Sequence, residues 1–346
     1  MNEVREDEGL VYIETGDGSI TLADRETGEW YHNSAGAFKE SLVNYAEPAM
    51  AFLRAENCPE QLALLDICFG MGYNTFTFIE TLMQAELPGS AIETLSIKAV
   101  ELDKSLIPAM IKTLEQSVYP TLKSSGLAPA IVEMLKESLE KETCQDDGQG
   151  HGQDKDKVSV IPQGVSSVGK IDFEIRFEDL RLCLSGLLAD EKQHYDLVFH
   201  DPFSPRKFPQ FWTLDIFSIY RKLLKEGSGK LFTYSVAGAV RSALAQAGFS
   251  VYRTRALGRK TGGTLAVADA KESDNFRLEM LPAELPGSSA FSSDLFFVLD
   301  DIELEKLTPR AAVPYRDPGL KLDRASILRN RQNEQDLLSQ NLNLSS

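Results

Sequence analysis

The residue pattern predicts an α/β fold, a Rossmann-like doubly wound and mostly parallel sheet preceded by a small β-hairpin extension. Three observations carry that prediction. Short apolar runs alternate with stretches of helical period, as a strand–helix–strand chain requires. Glycines and carboxylates fall where those runs end, which is where open α/β sheets hold ligands. Residues 10–45 instead alternate apolar with polar around Thr15-Gly16-Asp17-Gly18 and Thr27-Gly28, the pattern of a hairpin.

The elements follow in order. A helix is expected from Ala46 to Ala55, ahead of a first strand, Leu62-Ala63-Leu64-Leu65-Asp66-Ile67-Cys68, whose unbroken apolar character fits a strand covered on both faces. Gly70 and Gly72 permit a tight turn, and Asn74 to Glu86 opens a helix whose first N–H groups lack intrahelical acceptors. Leu95 to Glu101 is the second strand. Helical stretches fill 104–141 with interruptions near Pro120 and Pro129, and Cys144 to Lys157 is rich in Gly, Asp, Gln and Lys without apolar period. That composition predicts a flexible insertion, taken as about 142–170. Further strands are expected at Ile171–Phe177, Tyr195–Phe199, Lys230–Tyr234, Phe249–Arg253 and Thr264–Ala268, with helices near 210–224 and 237–247. The tail reads as an extended Pro314–Pro318 followed by a polar helix around 324–338. The expected domains are a β extension over 1–45, a main domain over 46–270 and a C-terminal extension over 271–346.

With 346 residues, 42% hydrophobic and 25% charged, the chain is of ordinary globular composition. It has no apolar run near the length of a membrane span, and Met1 to Glu8 is acidic where a signal peptide is basic and then apolar, so no membrane association and a cytoplasmic location are expected. Cys58, Cys68, Cys144 and Cys183 lack C-x-x-C spacing, which predicts unbridged thiols, with Cys68 and Cys183 buried, and no zinc site. His151 has no second ligand at metal spacing, so no metal is expected. The net charge of −16 argues against indiscriminate nucleic-acid binding, since phosphate affinity comes from local Lys and Arg. Those residues do cluster: Arg206 with Lys207, Arg253, Arg255, Arg259 and Lys260, and Lys306, Arg310, Arg316, Lys321, Arg324, Arg329 and Arg331 in the tail. A basic stripe at a cleft and a set of solvated surface charges are both consistent with that spacing.

Two segments concentrate chemistry: Asp66-Ile67-Cys68-Phe69-Gly70-Met71-Gly72-Tyr73-Asn74 and His200-Asp201-Pro202-Phe203-Ser204-Pro205. The first, with Glu101 ending the next strand, makes a nucleotide cradle in which Glu101 accepts from ribose hydroxyls. A glycine pair alone also serves turn geometry. The third glycine of a dinucleotide fingerprint is replaced by Thr75, which favours S-adenosyl-L-methionine over NAD or FAD as the cofactor. Asp179, after the third strand, is placed to accept from the adenine amino group.

In these residues the chain resembles the methyltransferase family that completes 5-methylaminomethyl-uridine at the tRNA wobble position, the MnmC methyltransferase domain and its stand-alone relatives. That family carries an acidic-x-G-F-G-x-G-x-N loop, matched by Asp66 to Asn74, and a Y-D-x-x-x-x-D-x-F-[AS]-P-x-K-x-P-x-x-W run, similar to Tyr195 through Trp212. Gly227 to Ser235 with Ala247-Gly248-Phe249, Gly258-Arg259-Lys260, and Tyr31-His32-Asn33 through Glu40-Ser41 add to the likeness. Cys68 departs from the family's first glycine. The FAD-dependent oxidase half of bifunctional relatives is not expected in these 346 residues, since no G-x-G-x-x-G follows a strand. The resemblance implies methylation of the 5-aminomethyl group of a wobble uridine, with tRNA bound through its anticodon region. Asp66, Phe69, Gly70, Gly72, Asn74, Glu101 and Asp179 then hold the cofactor.

Asp201 is the candidate catalytic residue. Methyl transfer needs an aligned amine lone pair, and a carboxylate orients an amine and accepts its proton. Phe203 is the candidate for stacking on an extruded base, and Lys207, Arg259 and Lys260 for phosphate contacts. Structural readings stand beside these: Asp-Pro is itself a turn signal, Phe203 and Trp212 fit a core, and His200 fits a partly buried strand end. Two other functions share the pattern, a small-amine methyl- or aminopropyltransferase and a non-catalytic cofactor-fold binding protein.

Overall fold

The computed structural model describes residues 4–7, 10–23, 28, 30–55, 58–87, 91–143, 156–254, 262–268, 296–297 and 309–344. The chain divides into two compact units, Met1–Asp179 and Leu180–Ser346.

The first unit opens with a three-stranded antiparallel sheet, β1 (Val4–Asp7), β2 (Leu10–Glu14) and β3 (Ile20–Leu22). Its β2–β3 turn is closed by Asp17, which accepts from Ser19 N and Oγ and from Thr15 Oγ1, and also from Lys39 N at the start of the next helix. Burial opposes the charge on Asp17, but these hydrogen bonds together hold its carboxyl below the ordinary value. Helix α1 (Ala37–Ser41) runs through a π-helical turn, Leu42–Ala46, into α2 (Glu47–Ala55), a longer helical run than the sequence predicts.

β4 (Gln61–Ile67) is buried from Leu62 onward on both faces, as its apolar run predicts. α3 (Tyr73–Met83), β5 (Ile92–Glu101), α4 (Ile107–Leu114), α5 (Pro120–Ser124) and α6 (Leu127–Thr143) follow. Pro120 begins α5, where its missing N–H costs nothing, and Pro129 lies in the first turn of α6 rather than interrupting it, for the same reason. β6 (Asp156–Val160) pairs antiparallel with β7 (Val168–Phe177), while β4, β5 and β7 run parallel. β6 corrects the expectation of an irregular insertion over its residues: Ser138 of α6 donates to the buried Asp156 Oδ2 at 2.6 Å and seats the strand. The ends of that span are also ordered, 142–143 in α6 and 168–170 in β7, and residues 144–155 lie outside the described residues. β5 and β7 alternate, with Leu95, Ile97, Ile171 and Phe173 buried and Lys98, Asp172, Glu174 and Arg176 half-buried on the other side. There Glu174 pairs with Arg176 and Lys157.

The second unit contains α7 (Leu180–Asp190), β8 (Leu197–His200), α8 (Leu214–Leu223), β9 (Lys230–Thr233), α9 (Gly238–Gln246), β10 (Ser250–Thr254), β11 (Thr264–Val267), β12 (Phe296–Phe297) and α10 (Arg324–Leu344). β8 and β9 are parallel, and every residue of β8, β9 and β11 is buried. β11 inserts antiparallel between β9 and β10, and β12 adds antiparallel to β10. Parallel pairing thus holds for β4, β5 and β7 in the first unit and for β8 and β9 in the second, and fails at β6, β10, β11 and β12. The reason is chain length. Too few residues separate β6 from β7 or β10 from β11 for a crossover helix, and only antiparallel strands join through short connections.

The fold is therefore α/β with a central Rossmann-like sheet and a small antiparallel sheet at its N-terminal side. Tyr73, the first residue of α3, ties the small sheet to the first unit: its hydroxyl donates to Ile20 O and accepts from Ile20 N and Gln116 Nε2. Burial pushes its phenol up to about 12. Tyr73→Phe strands the Ile20 groups and is expected to lower unfolding stability by about 1–3 kcal/mol, measurable by urea melts.

Candidate functional site

The first unit builds one loop at the carboxyl edge of its parallel strands. Register aligns Ile67 with Val100 and Glu101 with Phe177, so the segments after β4, β5 and β7 emerge side by side. Phe69 N donates to Val100 O and Glu178 N to Glu101 O, which fixes both neighbouring segments to the end of β5. Between them Gly70 N donates to Glu101 Oε2 at 2.8 Å, while Glu101 Oε1 accepts from Leu102 N and Asp103 N at 2.8 and 2.9 Å. A carboxylate has about four lone-pair sites, so roughly one remains for a hydroxyl donor where the sequence reading expects two.

The loop backbone is left-handed at alternate positions, Cys68 (φ 59°), Gly70 (φ 57°) and Gly72 (φ 85°). The departure from glycine at Cys68 therefore sits in a conformation that an L side chain adopts at a cost of about 1–2 kcal/mol. Cys68 is half-buried rather than buried as expected, whereas Cys183 is buried. A side chain at Gly72 would collide with Phe76 at 2.4 Å and Phe69 at 2.8 Å, so only glycine fits there. Gly72 is the N-cap of α3 and contributes no capping side chain to its first turn.

The remaining predicted cofactor residues divide. Asp66 is fully buried, and its Oδ2 accepts from Thr75 Oγ1 at 2.6 Å, which locks the strand end to α3. Asn74 is buried with Oδ1 accepting from Ser41 Oγ at 2.7 Å. Phe69 is buried against Phe76 and Phe173. These three shape the loop from behind. Asp179, two residues past β7, is half-buried at the same edge as Glu101. Tyr31 was not singled out as a site residue, yet its ring stands where a Gly70 Cβ would touch it at 3.4 Å. The only signal for it was the hairpin likeness at Tyr31-His32-Asn33.

In the second unit β8 ends in the other loop. His200 is fully buried, edge-on to Trp212, Phe217 and Tyr220, with Nδ1 3.1 Å from Tyr220 Oη. Burial pushes its imidazole down to about 3, so it is neutral at physiological pH. The following backbone is held by its carbonyls: Pro202 O accepts from Tyr234 Oη, Phe203 O from Trp212 Nε1, and Ser204 O from Lys207 N and Phe208 N. Asp201, Phe203 and Lys207 are half-buried, and Asp201 is the one carboxylate between His200 and Trp212. Phe203 lies 5.3 Å from Phe208, which stacks on Phe211. Trp212 is a core residue, as its structural reading has it. Arg259 and Lys260 lie outside the described residues.

Among the described residues no group of His, Cys, Asp and Glu is arranged to hold a metal, and no helix is long and apolar enough to cross a membrane.

Residues 157–269, which contain Asp179 and the whole Asp201 loop, match the sequence profile of a family described as S-adenosyl-L-methionine-dependent methyltransferase. The match defines the class of protein that this part of the chain resembles, one whose cofactor is S-adenosyl-L-methionine. The residues fit that group: a carboxylate with a lone pair to spare and an uncapped helix start face one edge. An uncharacterized protein of Methanocaldococcus jannaschii is 27% identical over 343 residues, 99% of this chain and 76% of that protein. The solved structure of MnmC2 from Aquifex aeolicus shares the fold with a TM-score of 0.58 at 24% identity, covering 97% of this chain and 85% of that one. The MnmC resemblance read from the motifs is borne out in the fold, and the methyltransferase profile matches over residues 157–269.

Two expectations follow. Cys68→Gly relieves the left-handed side chain and raises stability by up to about 1 kcal/mol, while Cys68→Val lowers it by about 1–2 kcal/mol in thermal melts. Burial raises the Glu101 carboxyl above the ordinary value, against the hydrogen bonds from Asp103, Gly70 and Leu102. Hydroxyl donors need the ionised form, so calorimetric affinity for S-adenosylhomocysteine falls as pH drops through that raised value. Folding stability runs the other way, with the contribution from Glu101 lost as pH rises through the same window. Glu101→Gln makes binding weak by roughly 10- to 100-fold and independent of pH.

Proposed function

We propose that this chain is an N-methyltransferase acting on the 5-aminomethyl group of a tRNA wobble uridine, with Asp201 as the residue that handles the amine. One observation carries the reading: Asp201 is the sole carboxylate of a loop whose carbonyls are already engaged by Tyr234, Trp212 and its own backbone, and whose histidine is neutral and packed away. The loop sequence also resembles that of the MnmC methyltransferase domain.

Bound at the first loop, S-adenosyl-L-methionine supplies an electrophilic methyl group whose transfer cancels the sulfonium charge. Glu101 holds a ribose hydroxyl, Asp179 receives the adenine amino group, and the exposed Leu102 offers adenine an apolar surface. Asp201 accepts a hydrogen bond from the substrate amine and points its lone pair for an in-line approach. An alkylamine is held protonated near neutral pH, with lysine at about 10.4 as a guide, so the proton must leave before attack. A carboxylate is a weak acceptor for it, and Asp201 acts chiefly by orientation, with the proton passing on to water. Phe203, with Phe208 and Phe211 behind it, supports an extruded base by stacking, and Lys207 with Arg259 and Lys260 binds phosphates. A cytoplasmic location accompanies a tRNA substrate.

Asp201→Asn is expected to lower kcat on tRNA bearing 5-aminomethyl-uridine by roughly 100-fold and to leave the Kd for S-adenosylhomocysteine within about twofold. Equal turnover by the variant removes Asp201 from the chemistry. Methyl transfer to free polyamines, with none to that tRNA, replaces the nucleic-acid substrate by a small amine.

A further inference from the structure

The segment that follows the described core of the second unit is threaded against the substrate loop. Tyr315 O accepts from Leu214 N at 2.9 Å and Tyr315 bridges Thr213, directly after Trp212. Asp317 N donates to Asp215 Oδ2 at 2.7 Å. The Asp317 side chain is fully buried: Oδ1 accepts from Lys321 N and Leu322 N at 2.8 and 2.7 Å, and Oδ2 lies 3.5 Å from Arg181 Nη1. Arg181 Nη1 also donates to Leu322 O.

α10 closes the outer side with polar contacts where an apolar face would be usual. Arg331 donates to Val313 O and Ala311 O and lies over the Tyr315 ring at 4.7 Å, and Gln335 donates to Arg310 O. Arg316 pairs with Glu334, and α10 packs against the Pro209–Phe211 turn of the substrate loop. Arg316 and Arg331, which sequence spacing leaves open as part of a basic stripe, are therefore engaged within the chain, while the exposed Arg310 lies 3.9 Å from Asp336.

The geometry points to the 309–344 segment as a brace that sets the position of the Asp201–Trp212 loop, with Asp317 as its positioning residue. The path is continuous: Asp317 fixes Asp215 and the turn to Leu322, Tyr315 fixes Thr213 and Leu214, and the adjoining Trp212 donates to Phe203 O, two residues from Asp201. This rests on the reading of that loop as the substrate loop. Displacing a reacting group by about an ångström costs up to ~100-fold in rate, so a brace remote from the chemistry is visible in kcat.

The full-length chain carries the test, as Asp317→Ala, Asp317→Asn and Arg331→Met. Asp317→Ala is expected to lower kcat roughly 10- to 100-fold with S-adenosylhomocysteine affinity unchanged. Asp317→Asn, which keeps the Oδ1 acceptor for Lys321 and Leu322, is expected to recover most of the rate. Arg331→Met, which loosens the outer side alone, serves should Asp317→Ala fail to fold. Hydrogen exchange read by mass spectrometry is expected to rise over 203–214 and 313–322 in Asp317→Ala and Arg331→Met, and to stay at the wild-type level over 61–83. A kcat within twofold of wild type, or exchange that rises only in the tail or equally in 61–83, overturns the brace. If wild-type protein methylates no tRNA, the substrate reading has failed by itself, and the exchange pattern alone decides the brace.

Discussion

The Glu101 carboxylate accepting the Gly70 N–H is the contact on which the loop after β4 depends. Three left-handed residues in five positions make a loop with little repeating hydrogen bonding of its own, so an outside acceptor must fix its path. Glu101 supplies it from the side chain, while its backbone carbonyl receives Glu178 N and so fixes the segment leading to Asp179. A single residue thereby sets two of the three segments that meet at the strand ends. The cost is burial of a carboxylate, which raises its proton affinity and leaves it with about one lone pair to offer.

The second unit solves a similar problem without charge. Its loop contains Pro202, Pro205 and Pro209, which lack N–H groups and leave carbonyls to be satisfied. An indole and a phenol from the flanking elements satisfy two of them, from inside the core, which is why Trp212 and Tyr234 are set where they are. The loop that carries Asp201 is thereby stiffened through its main chain.

Strand positions were legible because buried strands are written as unbroken apolar runs, and β4, β8, β9 and β11 have that form. Strand direction at the margins was less legible, since periodicity carries none; connection length does, and the short β6–β7 and β10–β11 links hold that information. β6 was hidden because Asp156-Lys157-Val158-Ser159-Val160 is half polar and adjoins a low-complexity stretch. For the site, the spacing of Glu101 after the glycine turn was readable, as was the strained position of Cys68. Asp66, Phe69 and Asn74 share the motif yet face inward, because a motif records that residues are needed and not which side of the backbone they serve. The role proposed for Asp317 depends on a contact 102 residues away in sequence, and that of Arg331 on carbonyls 18 and 20 residues back, which no local pattern encodes.

The burial of His200 has a consequence for how this loop answers acid. Its imidazole is so reluctant to take a proton that between about pH 5 and 9 it contributes no change of charge beside Asp201. Across the physiological range the imidazole therefore brings no charge to the loop that carries Asp201. A pH-dependent event at this loop therefore takes its origin from some group other than His200.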